Sequence, residues 1–180
     1  MIEALVAILI LSFGLLALGS FMAYGVQLPK LSGNRSVAMV AGADLVERMR
    51  ANSSGTLNYA NTTISGLSGN ATNTFTATFT IPTSMPSGST CAFANCTAAS
   101  LAIMDVATVD FNLKRQLPGG GLTIQIPNTA TPRIGSVWVI WQEPSNFGTF
   151  STSGSDVCPA NVTALSLSPA PRCVYIPFRL

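Results

Sequence analysis

The chain opens on an apolar run, passes into helical spacing, and later alternates residue by residue. From Ala4 to about Val26 it is apolar apart from Ser12 and Ser20. As a helix that stretch would reach roughly 35 Å, long enough to cross the hydrocarbon core of a bilayer. A helical stripe follows: Val37, Ala41, Leu45 and Met49 recur every four residues, Val40 widens it, and Asp44 to Arg48 forms an acid-to-base pair on the other side. The spacing predicts one long helix to about Ala51, with 4–26 suited to lipid or a helix bundle and 34–51 amphipathic. Pro29, near Gly25, Ser32 and Gly33, predicts a bend, because proline removes a backbone donor and crowds the preceding turn. Ala51-Asn52-Ser53-Ser54-Gly55 ends the helix.

Beyond residue 52 the pattern changes. Asn52 to Gly69 is rich in Ser, Thr, Asn and Gly and reads as a loop. The stretch NTFTATFTIP then alternates, with Phe75, Ala77, Phe79 and Ile81 on one side and threonines on the other, which predicts a half-buried strand. Leu122, Ile124 and Ile126 repeat that logic, and Val137 to Trp141 is apolar on both faces, as a mid-sheet strand would be. Cys173 to Phe178 supplies a closing strand, in which Pro177 argues for a sheet edge. Between the first two strands, Ala102, Val106, Val109, Leu113 and Leu117 follow helical spacing. Thr97 or Ser100 would cap that helix, Lys114 and Arg115 suit its C-terminal end, and Pro118 with three glycines stops it. The expectation is an α+β protein: a helix over 1–52 and a head domain of small antiparallel sheet and short helices over 53–180.

Composition narrows the chemistry. Charged residues are 9% of the 180, against about 25% in a typical soluble protein, and the net charge is +2. Scattered cations leave no footprint for nucleic acid. With no histidine, the commonest general base and the commonest metal ligand are both missing. Glycines 119–121 follow a helix instead of opening one, so they read as a helix stop and not as a phosphate loop. Asp105 and Asp110 are five apart and form no catalytic pair, and no alternating-oxygen loop suits calcium. Asn-x-Ser/Thr at Asn34, Asn52, Asn61, Asn70, Asn95 and Asn161 reflects a composition rich in those residues. No catalytic site, cofactor or metal is expected. Four cysteines, all in the second half, suit two disulfides in an oxidising compartment such as a periplasm, since Cys91/Cys96 and Cys158/Cys173 lack the paired C-x-x-C of zinc ribbons.

One residue stands out against the first run. Glu3 places a carboxylate at the edge of an apolar helix with no basic residue before it, and an ionised acid in hydrocarbon is costly without a partner. A cleavable signal would have a basic leader and a shorter apolar centre. Met1-Ile2-Glu3 followed by Ala4-Leu5-Val6-Ala7 resembles the start of a mature type IV pilin. The resemblance implies that Met1 is the third residue of the mature protein, with the Gly-Phe-x of the processing site upstream of this sequence. It also implies that Glu3 pairs with the N-methylated amino terminus of a neighbouring subunit. Such a pair forms only in one axial register, so it would favour assembly in that register.

Head features extend the likeness. Cys91-x4-Cys96 before a short helix, Asp105 within it, Leu117-Pro118-Gly119-Gly120 at its end, Trp141-Gln142-Glu143 closing a strand and a final Cys173-led strand are similar to PilV-type minor pilins. Residues 52–90 match no such pattern. The resemblance implies a non-enzymatic structural protein held by one span in a bacterial inner membrane, its head in the periplasm, that later enters a pilus at the cell surface. Its implied partners are other minor pilins, the major pilin, prepilin peptidase, the inner membrane and, at the tip, an adhesin. Leu5, Ile8, Leu9, Leu11, Leu15 and Leu16 would pack between helices in the filament core. A minor pseudopilin of a type II secretion system shares this stalk chemistry, and a membrane-anchored periplasmic enzyme or ligand-binding domain is the alternative from another class. Four cysteines allow three pairings. Short local loops favour Cys91 with Cys96 and Cys158 with Cys173, the second closing a loop worth about 3 kcal/mol.

Overall fold

A computed structural model describes residues 2–60, 71–76, 79–85, 91, 95–127, 132–143 and 158–180. Helix α1 runs from Ile2 to Ala51 with Pro29 inside it, ending where the polar Asn52-Ser53-Ser54-Gly55 stretch begins. The chain divides into two compact units within that helix: Met1–Arg35, and Ser36–Leu180. The helix end thus agrees with expectation, while the last turns of α1 belong to the head.

In the head, a 3-10 turn (Ser53–Gly55) leads into α2 (Thr56–Ala60). Strand β1 (Ala71–Asn73) follows, then α3 (Ala98–Gln116), β2 (Gly121–Gln125), β3 (Ile134–Trp141), a single helical turn α4 (Ala160–Thr163) and β4 (Arg172–Arg179). Three principal strands and the three-residue β1 form one antiparallel sheet in the order β1-β2-β3-β4, with α3 inserted after the first. The α+β class and the interior position of the Trp-containing strand follow the pattern of the sequence.

Pro177 explains itself through the register. Arg133 and Leu180 exchange both backbone hydrogen bonds, so every second residue of β4 from Leu180 backwards points its amide at β3. Pro177 falls on the alternate set, facing out from the sheet edge, where a missing N–H costs no ladder bond.

One face of the sheet buries the main core. Leu122, Ile124, Val137, Val139, Val174 and Phe178 meet Ala38, Leu45, Val46 and Met49 from α1 and Ala102, Val106, Val109 and Leu113 from α3. The α3 stripe is the one its spacing predicts. On α1 the stripe is rotated: Leu45 and Met49 are buried and Val37 and Ala41 half-buried, but Val40 is 70% exposed, and Ala38, Gly42 and Val46 take the inner positions. Gly42 brings α1 close to the sheet there: a Cβ would meet the end of the Ile176 side chain, which would have to move, and would press on Val139. On the opposite face Phe75, Ile140, Val162 and Cys173 form a smaller cluster under the Cys158–Cys173 loop.

Two expectations need correction. The 52–69 stretch is not all loop: α2 places Tyr59 in the core with no exposed surface, and residues 61–70 lie outside the described set. The strand expected over NTFTATFTIP is also absent as such. The assigned ladder covers Ala71–Asn73, one further backbone bond runs from the Thr74 N–H to the Leu122 carbonyl at 2.8 Å, and the described residues of 74–81 are otherwise irregular, with Phe75 buried but Phe79 and Ile81 exposed. Ala77 lies outside the described residues. Local side chains explain the early stop: Asn73 Oδ1 accepts the Phe75 N–H at 3.1 Å, and Thr74 Oγ1 accepts the Leu122 N–H at 3.0 Å in place of a strand carbonyl. Asn and Thr divert the backbone from the ladder, which alternation alone does not register.

Candidate functional site

Two features of this chain bear on its role, the exposed apolar stalk and the internal network that anchors the end of its helix in the head. Ile2–Met22 is one helical segment long and apolar enough to cross a membrane. Leu5, Ile8, Leu9, Leu11, Leu15 and Leu16 are each 57–71% exposed, so none is covered within the single chain. A helix apolar on every side needs lipid or other helices around it. The two hydroxyls in the run suit such surroundings, since Ser12 Oγ donates to the Ile8 carbonyl at 2.7 Å and Ser20 Oγ to the Leu16 carbonyl at 2.8 Å. Neither needs water. Glu3 lies exposed in the first turn, where the helix dipole favours a negative charge.

At the other end of α1, a polar network locks the helix to the head. Arg48 Nε donates to Asp44 Oδ2 at 2.9 Å, the pair expected from sequence, and its Nη1 reaches Asp105 Oδ1 on α3 at 3.1 Å. Tyr59 on α2 donates to the other Asp105 oxygen at 2.6 Å. Asn52 Nδ2 donates to the Ala98 carbonyl at the start of α3 at 2.8 Å. Asp105 is buried, so both its oxygens need these partners. Burial pulls the Arg48 guanidinium down, but Asp44 and Asp105 outweigh it and hold its pKa above the ordinary value. Burial, then the neighbouring Asp105, push the Tyr59 hydroxyl well up, so it stays a donor. In the sequence Asp105 forms no pair and is otherwise marked only by the resemblance of its helix. Its place one turn from Ala102 and Val109, inside an apolar stripe, was the signal that it must be paired. Tyr59 sat in a stretch that reads as loop and gave no signal.

The head motifs also touch one another. Thr97 caps α3: its hydroxyl accepts the Ser100 N–H at 3.1 Å, and Ser100 Oγ accepts the Thr97 N–H at 2.9 Å, so both candidate caps act together. Leu117 closes the helix, and Gly119 takes a φ of +58°, a left-handed turn that favours glycine. The Pro118 carbonyl then accepts the Gln142 N–H at 2.9 Å, which joins Leu-Pro-Gly-Gly to Trp-Gln-Glu. Each side chain of the latter has a partner. Trp141 Nε1 donates to Glu143 Oε1 at 3.3 Å, Gln142 Nε2 to the Pro169 carbonyl at 2.7 Å, and Glu143 Oε2 lies 3.7 Å from Arg172 Nε. The disulfides are Cys91–Cys96, just before α3, and Cys158–Cys173, which closes the α4 loop onto β4. Their Cα separations of 5.1 and 5.3 Å suit the bond.

An open groove of about 490 Å³ runs between α1 and α3, where Val37, Val40 and Ala41 face Val109, Asn112 and Gln116. Its lining carries one ionisable group, Asp44. Among the described residues no group of three or more His, Cys, Asp or Glu side chains is placed to hold a metal ion. No family model, curated protein or solved structure matches this chain. The reading of its role therefore rests on the stalk, its anchorage and the resemblance of the sequence.

Proposed function

We propose that this chain is a structural, non-enzymatic subunit of a type IV pilus, a minor pilin of the PilV type that helps prime or modify filament assembly. Its stalk holds it by a single span in a bacterial inner membrane with the head in the periplasm, then passes into the filament core. Leu5, Ile8, Leu9, Leu11, Leu15 and Leu16 pack there against neighbouring helices, and Pro29 supplies a bend between the core and the head. Glu3 pairs with the terminal amine of an adjoining subunit, a product of prepilin peptidase, and so sets axial register. The head selects neighbours among other minor pilins and the major pilin, and at the tip meets an adhesin.

The observation that carries this reading is one 50-residue helix with two environments. Its first turns expose apolar side chains on all sides behind a lone acid, while its last turns are fixed in a disulfide-bonded α+β head. Within the head, α1 keeps Met39 and Val40 exposed, with Val40 lining the groove, so the head also offers apolar surface to a neighbour. The test is Glu3→Ala in cells. The expected result is a marked fall of this subunit in sheared filaments, with the membrane-held head still folded and oxidised. Undiminished incorporation of the variant would remove the register role.

A further inference from the structure

Helix α3 runs back along the part of α1 that belongs to the head. Near the start of α3, Asn52 Nδ2 donates to the Ala98 carbonyl and Arg48 meets Asp105, while at its end Gln116 shares a groove with Ser36 and Val37. The chain enters the head from the stalk at Ser36. The C-terminal end of α3 therefore lies at the tethered end of the head. Ile134 and Arg179, opposite each other at the start of β3 and the end of β4, lie at the other end, where Arg133 Nη1 donates to the Ser53 carbonyl at 3.3 Å.

At the tethered end a pocket of about 230 Å³ is lined by Phe79, Ile81, Lys114, Arg115 and the Pro118-Gly119 turn. Both of its large apolar side chains face water, Phe79 at 56% and Ile81 at 63% exposure. A Cβ on Gly119 would sit 3.7 Å from the Phe79 ring, so the ring lies close over the left-handed turn. Beside them the exposed Arg115 guanidinium stacks on Phe111 at 5.3 Å and has no acidic partner among the described residues, whereas Lys114 is held by Asp110. Exposed apolar side chains next to an unpaired cation match a surface that offers hydrocarbon and negative charge together.

We propose that this end of the head docks on an anionic phospholipid leaflet while the stalk is in the membrane, with Phe79 and Ile81 entering the interface and Arg115 meeting lipid phosphates. The proposal rests on the reading of α1 as a membrane span. A tethered head needs little affinity of its own, because the span makes docking an intramolecular step. Charge selects the lipid: one cation beside an anionic surface is worth about a five-fold shift in the docked population. Ile134, 54% exposed with Arg179 across from it, offers similar side chains at the far end without the tether, and so serves as an internal control.

The test places the full chain in nanodiscs of phosphatidylcholine, with or without phosphatidylglycerol, that carry a lipid spin-labelled in its acyl chain, and reads the broadening of methyl NMR signals. With the anionic lipid Ile81 should broaden several-fold more than Ile134, and without it the docked population should fall about five-fold. Arg115→Gln, at an exposed position, should weaken the signal in anionic discs to the same degree, and Phe79→Ser should weaken it in both lipids. Equal broadening of Ile81 and Ile134 in anionic discs, or no response to Arg115→Gln, would overturn the inference and leave the patch to a protein neighbour. A response of Ile81 to inorganic phosphate in phosphatidylcholine discs that matches its response to phosphatidylglycerol would mark a site for a soluble anion and overturn it too. The Leu11 and Leu15 methyls report the stalk. If they broaden and Ile81 does not, the span stands and docking fails; if they escape the label, the span fails and docking with it.

Discussion

The two halves of α1 share one backbone conformation but differ in what their side chains meet. Between Leu5 and Leu16 the large apolar residues point in every direction and stay exposed. Between Ala38 and Met49 the buried residues keep to one side, at spacings of three and four, and the others face water as Asp44, Glu47 and Arg50 do. The second half owes its place to packing, because its inward strip fills the core beneath β3 and β4. In the first half the large apolar side chains from Leu5 to Leu16 are more than half exposed. What a helix is for can therefore change along its length without any break, and the angular spread of apolar residues marks the change.

The sharpest way to break this contrast is to truncate matched leucines in the two halves. Leu45→Ala or Met49→Ala removes a side chain with no exposed surface and should lower head stability by about 2–5 kcal/mol. Leu15→Ala, at a position 61% exposed, should leave head unfolding within ~0.5 kcal/mol of wild type. Thermal denaturation of the full chain in micelles, read by tryptophan fluorescence from Trp138 and Trp141, measures both. If Leu15→Ala destabilised the head as Leu45→Ala does, the division of the helix into two roles would fail.

A second contrast comes from covalent links. The head is stapled twice, while the stalk has no cysteine. Replacing Cys158 and Cys173 together by serine should cost about 3 kcal/mol, and replacing Cys91 and Cys96 about 2 kcal/mol, because the second pair closes the shorter loop. Near-UV circular dichroism on heating reports the head. Far-UV signal retained above that transition reports the stalk, whose helicity in micelles should outlast the head in both variants. Simultaneous loss of the two signals would mean that stalk and head unfold as one unit.

Periodicity carried most of the fold. The length of α1, the α3 stripe, the interior Trp strand and the edge position of Pro177 follow from spacing and backbone chemistry alone, and so did the favoured cysteine pairing from loop length. Where reading failed, a side chain acted on the backbone or a long-range partner decided burial. Asn73 and Thr74 end β1 by capturing amides, so the alternation of Phe75, Phe79 and Ile81 describes no strand. Val40 turns outward because the sheet approaches α1 from the Gly42 side, where a side chain would strike Ile176. Tyr59 is buried by its bond to Asp105, 46 residues away in sequence, which local composition does not report. The stalk is the opposite case. Glu3 and the leucines behind it are exposed on one continuous helix, as an apolar run with a single acid at its edge leads one to expect.

The smallest expected effect concerns how helices begin. α3 opens at an exposed end where Thr97 and Ser100 satisfy each other's amides, and Leu101 N–H bonds the Thr97 carbonyl at 2.9 Å. The first turn of α1 carries the exposed Glu3 and, among the described residues, no cap of this kind. Thr97→Ala removes one acceptor and leaves the Ser100 N–H to water, so the head should lose about 1 kcal/mol. Thr97→Asp restores an acceptor and adds a favourable charge at the positive end of the helix dipole, so stability should return to wild type or slightly above. Urea unfolding of the two variants, with amide exchange at residues 98–101, distinguishes them. Faster exchange confined to that first turn in Thr97→Ala, with the β2–β3 amides unchanged, is the expected pattern. Equal loosening across the sheet would show that the cap supports the whole core and not only the entrance to α3.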